Sequence, residues 1–592
     1  MIKYLFVSAL FFISGFPVNG QTNIVVTSAE VDNIIKGIYS PSTYAASVVI
    51  NNPNTISSEL VSRISPDTLR SYLFKLRSFQ NRNSGSDTVS TTRGIGAARR
   101  WVYTKFLEFS AANENRLRAA YLQFDLNICG APKHRNVIAV LPGTQTIDKS
   151  VVLVQGHIDS RCEGSCDLTC DAFGVEDNAT GTALVLELAR VMSKYSFRNT
   201  ILFVINTGEE QGKYGGEATA RYFNNNSLKI KAANNNDVSG GTFCGNTSSA
   251  PSCPFYGHID SIGLRIFSFG GFNSPHKQWA RYVKLEYKEQ VKSLVSVATD
   301  IRIMSAEDRT GRGGDHQPFR PYGFTTIRFT AANENGNASV GPGYVDRQHS
   351  VRDSLGKDLN NDGIEDSLYV STTYLARNTI VNANSMAMAA LSPDTINLAA
   401  SIMWSNLIRV QFNSGTSYPA YRVAVRSATD DWDSVYTITG ATIASIRVPY
   451  GTGNTFFISA ASVNNNNVES LFSTEYSLTL SNVTLALGDP PVQRRRNVPE
   501  VYGISLLQNK PNPFDENTRI TILSGTDIFA DRTWVVISTQ NGRTIKRIKV
   551  KLKKGINEVM YNHGFEATGS FVYTLFIDGL PVESKKMLFG QH

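Results

Sequence analysis

A histidine and several carboxylates stand within one short stretch of the chain. His157 and Asp159 come close together, Asp177 follows, and Glu209 and Glu210 are adjacent. A neutral imidazole and carboxylates on separate loops are ligand types that zinc accepts in catalytic sites. Of two adjacent carboxylates only one easily reaches a given metal, which leaves the other free to accept a proton. These residues therefore predict metal-assisted hydrolysis, in which a bridging carboxylate holds two metals roughly 3.5–4 Å apart.

The sequence around these residues predicts a strand, a loop, a helix and a second strand. Residues 151–154 and 201–205 are short, unbroken apolar runs, as in parallel strands buried on both faces. Between them, residues 178–195 carry apolar side chains at helical spacing. Ligands of open α/β sheets bind beyond the carboxyl ends of the strands, so the polar residues should converge there. We expect Asp159 to be the hydrogen-bond partner of the His157 imidazole.

The motifs GHIDS, EDNATGTA and GEEQG resemble those of the co-catalytic zinc exopeptidases of metallopeptidase family twenty-eight. This resemblance implies an α/β fold with a mixed, mostly parallel central sheet flanked by helices, and two zinc ions per chain. It also implies a set of metal ligands and a general base. The first zinc would be held by His157, Asp177 and Asp237, and the second by Asp177, Glu210 and His349.

Two positions of the implied ligand set have more than one candidate. For the later aspartate we favour Asp237 over Asp260, because its distance from the GEEQG motif leaves room for one helix and one strand, as is usual in the family. Asp260 is expected to cap the next segment. For the final histidine we favour His349, with Asp353 as a possible orienting carboxylate. His316 resembles a residue that lines the substrate side of the cleft, and we do not expect it to bind metal.

The resemblance implies an exopeptidase, most commonly an aminopeptidase, that acts on a peptide or protein; the two ends of the chain, described below, predict that it is secreted or at the cell surface. Glu209 would accept a proton from water and pass it to the leaving amine. Asp159 is the second residue that we expect to be catalytic, and the alternative for it is a loop cap after the strand. Carboxypeptidases share these ligands. Two further alternatives remain open: an acyl transferase of the glutaminyl cyclase type with one zinc, and a non-catalytic surface binding protein.

The first twenty residues predict a secretory signal peptide, with Lys3, an apolar run and small residues before a cleavage site after Gly20. The apolar run is too short for a membrane-spanning helix, and no other candidate appears in the sequence. Residues 21–64 could be a propeptide or an N-terminal extension that wraps the domain, with a turn at the sequence NNPN. The net charge of +8 is dispersed, which argues against a nucleic-acid partner.

Residues 65–392 are predicted to form the peptidase domain, which begins with a helix started by Ser65, Pro66 and Asp67. The six cysteines suit an exported protein with disulfides. Cys244 and Cys253 enclose a short loop and are the first pair that we expect to be linked. The other pairings stay open, as does metal binding by the remaining thiols, which lack a neighbouring histidine.

The stretch DLNNDGIED resembles a calcium loop, since it offers oxygen ligands at alternating positions and a glycine for a sharp turn. Its twelfth position would be a tyrosine rather than the glutamate of an EF-hand, and an ordinary polar turn is the alternative. The four candidate ligands are Asp358, Asn360, Asp362 and Asp366.

Beyond residue 392 the sequence is rich in short β-type runs. Residues 393–487 resemble a fibronectin type III module, a β-sandwich that binds or spaces. Residues 488–500 form a Pro- and Arg-containing linker. Residues 501–592, opening with LLQNKPNPF, resemble the C-terminal sorting domain of the type nine secretion system and form a second small β-sandwich. That resemblance implies export across the outer membrane with the secretion machinery as a partner, followed by release or surface attachment.

Overall fold

The computed structural model describes most of the chain outside both termini and several short segments. The described residues are 20–247, 249–271, 274–336, 343–357, 367–404, 406–428, 431–451, 453–480, 504–514, 517–528, 533–539, 543–563, 569–577 and 580–590. The predicted signal peptide, the predicted calcium ligands and the predicted linker lie outside these residues, apart from Gly20.

A nine-stranded sheet forms the centre of the first and largest domain, in the order β1-β2-β3-β5-β4-β6-β9-β7-β8. Its central strands β5, β4, β6 and β9 run parallel, whereas β1, β2 and β3 pair antiparallel on one side and β7 pairs antiparallel with β9 on the other. The fold is therefore the mixed α/β sheet that the sequence predicts. The strands are β1 (Thr22–Val26), β2 (Arg118–Ile128), β3 (Ala131–Leu141), β4 (Val151–His157), β5 (Ile201–Asn206), β6 (Ile230–Asn236), β7 (Gly263–Ser268), β8 (Asp300–Ile303) and β9 (Thr326–Ala331).

Helices cover both faces of the sheet. They are α1 (Ala29–Ile35), α2 (Pro53–Arg63), α3 (Pro66–Ser78), α4 (Gly94–Ala111), α5 (Thr180–Met192), α6 (Tyr214–Asn225), α7 (Pro275–Glu286) and α8 (Thr372–Leu391). In β4, Val152 and Val154 join the core with α5 and α8, while Val151 and Leu153 join the core with α1 and α6. Burial on both faces explains why the strand is apolar without alternation.

Two predicted helix boundaries illustrate how local sequence sets these elements. The side chain of Ser65 accepts a hydrogen bond from the Thr68 amide and starts α3, as predicted. The NNPN sequence is not a turn. Asn52 caps α2 by accepting from the Thr55 amide, and Pro53 occupies the first helical position, where its missing N–H costs nothing.

The segment 21–64 is built into the first domain. Strand β1 pairs antiparallel with β2 and forms one edge of the sheet. Helix α2 packs near α8, where the Ser57 hydroxyl donates to the side-chain oxygen of Asn384 at 2.8 Å between the two oxygens. In this structure the segment therefore wraps around the first domain and contributes residues to its core.

All six cysteines are paired. Cys244 and Cys253 form the predicted disulfide. Cys162 pairs with Cys170, and Cys129 pairs with Cys166. The last two bonds secure the loop between β4 and α5 and join it to the end of β2, and no thiol is left to bind a metal.

A two-sheet β-sandwich follows the first domain and packs against it. One sheet contains Asn397–Trp404, Leu407–Asn413 and Ile443–Arg447, and the other contains Ser434–Thr439, Ala420–Arg426, Thr455–Val463 and Tyr476–Thr479. Glu475 of the sandwich lies between Arg281 of α7, at 3.4 Å, and Arg426, at 2.6 Å. Phe472 joins the core of the first domain. The fibronectin type III assignment of this sandwich stays a prediction.

Two more antiparallel sheets make up the last part of the chain. They contain Ser505–Leu506, Asn517–Ser524 and Gly555–Asn562, and Thr544–Lys549, Thr533–Thr539, Gly569–Ile577 and Leu580–Phe589. Their facing side chains form a separate apolar core. Among the described residues, no helix is both long and apolar enough to cross a membrane.

Candidate metal centre

The predicted site residues lie together at the carboxyl ends of the parallel strands. His157 is the last residue of β4, Glu209 and Glu210 follow β5, and Asp237 follows β6. The parallel register places His157 beside the end of β5, so the loops after both strands begin at the same edge. Asp177 stands just before α5. The crevice beyond the strands is where open α/β sheets bind ligands.

Asp177 faces two histidines with its two oxygens. Its Oδ1 lies 3.4 Å from His157 Nε2, and its Oδ2 lies 2.9 Å from His349 Nε2. Asp237 Oδ1 lies 3.5 Å from His157 Nε2, and Glu210 Oε2 lies 3.1 Å from His349 Nε2. The site thus contains two groups of three potential ligands that share one carboxylate, and their ligand atoms lie within 4.8 Å of one another.

The donor set fits two zinc ions. Each group offers one imidazole and two carboxylates, a combination that zinc accepts. His157 Nε2 and Glu210 Oε1 are buried and have no hydrogen-bond partner among the described residues. Buried polar atoms are normally paired, and a cation in each group would satisfy the unpaired atom of that group. Asp260, the alternative to Asp237, instead accepts the amides of Ile262 and Gly263 and belongs to neither group.

Charges within the cluster shift the pKa values of its members strongly. Burial disfavours a charged His157, but the carboxylates of Asp177 and Asp237 outweigh burial and hold its pKa well above the usual range. Burial also acts against ionised Asp177, yet His157 and His349 hold its pKa well below the usual range. The cluster therefore keeps this carboxylate in the ionised form that binds metal.

Glu209 occupies a different environment. Burial raises the pKa of its carboxyl well above the usual range, and the nearby Asp237 and Asp315 raise it further, although His157 opposes them. Its Oε2 lies 4.0 Å from His157 Nε2. A carboxyl whose pKa is raised next to the metal ligands binds a proton more tightly, which suits a group that accepts and returns a proton.

Asp159 differs from its predicted role. His157 Nδ1 contacts the backbone oxygen of Asp159 at 3.1 Å, whereas the Asp159 carboxylate is 3.8 Å away. That carboxylate instead accepts the backbone amides of Gly208, at 2.9 Å, Glu209, at 3.3 Å, and Glu210, at 3.0 Å. The prediction of a carboxylate partner for His157 is wrong, because the extended backbone places the carbonyl oxygen of Asp159 closer to the imidazole than its carboxylate. Asp159 holds the loop that carries Glu209 and Glu210.

Asp353 also has a different partner from the predicted one. Its two oxygens accept the amides of Glu176, at 2.8 Å, and Asp177, at 3.0 Å, and do not orient His349. The Nδ1 atom of His349 lies 2.8 Å from Nη2 of Arg161, whose Nε donates to Glu210 at 3.1 Å.

Sequence reasoning missed two buried arginines that build the site. Arg82 donates to the carbonyls of Ile158 and Gly174, and so ties together the loops after His157 and before Asp177. Arg328 of β9 lies 3.3 Å from Asp237 Oδ2 and donates to both oxygens of Asp308. An arginine inside the otherwise uncharged strand β9 was a visible signal, since buried charges are normally paired. Nothing near Arg82 in the sequence distinguishes it.

His316 is buried behind the cleft. Its Nε2 lies 3.2 Å from the Glu307 carbonyl, and burial lowers its pKa to about 4. It belongs to neither ligand group, and it is not among the residues that line the cleft, where the family resemblance placed it.

An open cleft of about 350 Å³ leads to the cluster. Besides the acidic residues, its walls carry three cationic side chains, those of Arg161, Lys213 and Arg312. Nη1 of Arg312 is buried without a hydrogen-bond partner among the described residues. A substrate that enters the cleft therefore meets positive charge beside the ligand cluster.

The described site lies within a segment that matches a known family. Residues 136–370 match the sequence model of Peptidase family M28. A probable zinc metalloprotease of Pyrenophora tritici-repentis is 28% identical over 424 residues, which cover 67% of this chain and 94% of the relative. A probable zinc metalloprotease of Leptosphaeria maculans is 29% identical over 417 residues, with 67% and 92% covered.

Solved structures of enzymes with two different activities show low similarity to the chain. The LapA aminopeptidase of Legionella pneumophila aligns with 16% identity and a TM-score of 0.40, covering 58% of this chain and 76% of its own. A glutaminyl cyclase of Porphyromonas gingivalis aligns with 16% identity and a TM-score of 0.35, covering 54% and 97%. Similarity at this level does not separate the two activities.

Proposed function

We propose that this zinc metallopeptidase is a co-catalytic di-zinc aminopeptidase. The proposal starts from the match of residues 136–370 to peptidase family M28 and from the similar probable zinc metalloproteases. The observation that supports two metals is the position of Asp177, whose two oxygens face His157 and His349 separately. A carboxylate placed between two imidazoles can bridge two cations.

The ligands would be divided between the two ions as the geometry groups them. His157 and Asp237 would complete one site, Glu210 and His349 the other, and Asp177 would serve both. When bound, zinc ions supply Lewis acidity, which polarises an acyl oxygen and lowers the pKa of water. The residues of the chain contribute ligand placement and proton transfer.

Glu209 is proposed as the general base. Its carboxylate would take a proton from the attacking water, hold it on Oε, and return it to the nitrogen of the leaving amine. Asp159 supports this role, because it accepts the Glu209 and Glu210 amides and so holds the backbone from which both side chains project. Glu210 is held there by Arg161.

Carboxypeptidase activity is the second candidate, favoured by the cationic walls of the cleft. Lys213 and Arg312 could pair with the terminal carboxylate of a peptide, whereas the α-amine of an aminopeptidase substrate would need a carboxylate partner. Of these two side chains, Arg312 is the better candidate to bind a substrate carboxylate, because its buried Nη1 lacks a partner among the described residues.

The first experiment measures zinc per chain of the purified protein together with turnover of two substrate sets. Aminoacyl-anilides report aminopeptidase activity, and N-acylated dipeptides report carboxypeptidase activity. Two zincs with anilide turnover support the proposal, and turnover of the blocked dipeptides alone makes the chain a carboxypeptidase. One zinc with cyclisation of N-terminal glutamine would make the chain a glutaminyl cyclase. Absence of both zinc and turnover would make it a binding protein.

The proposal extends to location and to the accessory segments. A signal peptide at residues 1–20 and a sorting domain at residues 501–592 would export the chain across the outer membrane, through the type nine secretion machinery. The disulfides suit that route, since such bonds persist in oxidising compartments. Calcium binding at residues 358–366 remains part of the proposal.

A further inference from the structure

A second pocket lies away from the metal ligands, between the start of α4 and strands β2 and β3. It has a volume of about 270 Å³. Four of its lining residues are cationic, and the described lining includes no acidic residue. Those four residues are Arg99, Arg100, Lys133 and Arg135; the remainder of the lining is Thr88, Gly96 and Tyr121.

Arg99 forms the buried part of this pocket. Its side chain is nine-tenths buried, with 7% of the residue exposed, and its Nη1 has no hydrogen-bond partner among the described residues. Burial, together with the neighbouring Arg135 and Arg100, lowers the pKa of Arg99 to about 10. A buried cation beside other cations is unfavourable unless an anion compensates it.

No carboxylate is among the groups that shift the pKa of Arg99, and the aspartate before α4 does not supply that compensation. Asp87 precedes α4, and its Oδ1 accepts the amides of Val89, at 2.7 Å, and Ser90, at 2.8 Å, so it is committed to a turn. Arg100 donates to the carbonyl of Thr88, at 2.9 Å, which anchors the guanidinium at the pocket wall. Lys133 and Arg135 lie on the exposed rim and leave the pocket open to solvent.

We propose that this pocket binds a phosphate or sulfate group. Arg99 would contact the oxyanion from below, and Lys133 and Arg135 would close around it from the rim. Guanidinium groups present forked donors that match such an oxyanion, and the mixture of three arginines and one lysine provides several charge-assisted contacts. The ligand could be a free ion or a phosphate headgroup at a membrane surface, because the rim is exposed.

The test compares three forms of the full-length, zinc-loaded protein, which are the wild type, a rim variant and a control variant. The rim variant is Lys133→Gln with Arg135→Gln, which leaves buried Arg99 in place and so preserves folding. The control variant is Lys149→Gln with Lys229→Gln, two exposed lysines elsewhere in the domain, and removes the same number of charges. Inorganic phosphate is titrated at constant ionic strength, and the midpoint of thermal unfolding is followed, since a ligand that binds the folded state raises it.

We expect phosphate to raise the midpoint of the wild type and of the control variant, and the rim variant to bind phosphate roughly tenfold more weakly or worse. Co-sedimentation with phosphatidylcholine vesicles that contain phosphatidic acid provides the second arm. Loss of sedimentation in the rim variant alone, without a response to free phosphate, assigns the site to a headgroup. Equal responses of all three forms, or no response in either arm, would overturn the proposal.

Discussion

The backbone amide of Asp177 donates a hydrogen bond to the carboxylate of Asp353, with 3.0 Å between the nitrogen and the oxygen. The second Asp353 oxygen accepts the adjacent amide of Glu176. One buried side chain therefore fixes the backbone from which the shared ligand projects. Partners of this kind tune a metal site although they never touch the metal.

Replacing Asp353 should weaken zinc binding without removing a ligand. We expect Asp353→Ala to lower zinc affinity by roughly 10- to 100-fold, because Asp177 loses the contact that orients it. Asp353→Asn, which keeps one carbonyl acceptor, should lose less. Titration against a competing chelator measures both. Wild-type affinity in the alanine variant would show that Asp353 does not position the ligand.

Glu209→Gln should separate metal binding from turnover. The variant keeps the shape of the side chain but cannot accept a proton, so we expect two zincs, an unchanged fold and a loss of turnover of roughly 10²–10⁴-fold. The control is Glu217→Gln, which neutralises a partly exposed carboxylate on α6. Zinc analysis and steady-state kinetics provide the readouts. Near-normal turnover of Glu209→Gln would remove it as the base.

The choice between two aspartates can be tested by zinc content. Asp237→Ala should lose a zinc, since Asp237 lies 3.5 Å from His157 Nε2 at the end of β6. Asp260→Ala should retain both, because Asp260 accepts two amides and pairs with Arg302 at 2.9 Å. Loss of zinc from the Asp260 variant alone would make the ligand assignment wrong.

The contact between α7 and the sandwich should make stability depend on pH. Burial raises the pKa of Glu469 from 4.5 to about 7, against the opposing charge of Arg422 and with the nearby Glu289 adding to the rise. Glu286 faces it, and burial raises the pKa of Glu286 well above its usual range. The unfolded chain releases these protons at lower pH than the folded chain. The contribution of Glu469 to the free energy of unfolding is therefore fully present below about pH 4.5, and it is lost as the pH rises through about 7.

Thermal unfolding of the wild type and of Glu469→Gln between about pH 5 and pH 8 measures this effect. The glutamine variant should show a shallower decline, because it has no proton to lose at that position. A decline of the same slope in both proteins would assign the pH dependence to other buried acids.

Two truncations should affect the catalytic domain differently. A chain ending at residue 487 loses only the last domain and should keep its turnover, although we expect it to fail to leave the cell envelope. A chain ending at residue 392 also loses the sandwich and uncovers Arg281 and the apolar surface under Phe472. We expect it to unfold at a lower temperature. Equal unfolding midpoints would show that the sandwich does not stabilise its neighbour.

Local sequence rules account for much of the fold. The unbroken apolar runs of β4 and β5 predict strands buried on both faces, and Ser65 predicts the start of α3, because these signals act within a few residues. The convergence of His157, Asp177 and Glu210 could be predicted because the loops after parallel strands open at one edge. Asp237 was implied only by the family resemblance.

Hydrogen-bond partners within the site could not be read in the same way. Asp159 lies two residues from His157, yet its carboxylate is held by amides that follow β5, and Asp353 is held by amides that precede α5. Such contacts depend on which loops the completed sheet brings together. Arg82 lies in the loop after α3 and donates to the carbonyl of Ile158, and no local sequence pattern predicts a contact between residues so far apart in the chain.

Strand β1 has a consequence for the maturation of the chain. It covers the outer side of β2, and helices α1 and α2 add Ile34 and Leu60 to the two cores. A chain that lost residues 21–64 would present the unpaired amides and carbonyls of β2 to solvent. An exposed strand edge of this kind is a template on which another copy can add its own strand. Processing at residue 65 would thus leave a protease prone to self-association, so retention of the segment protects it from aggregation.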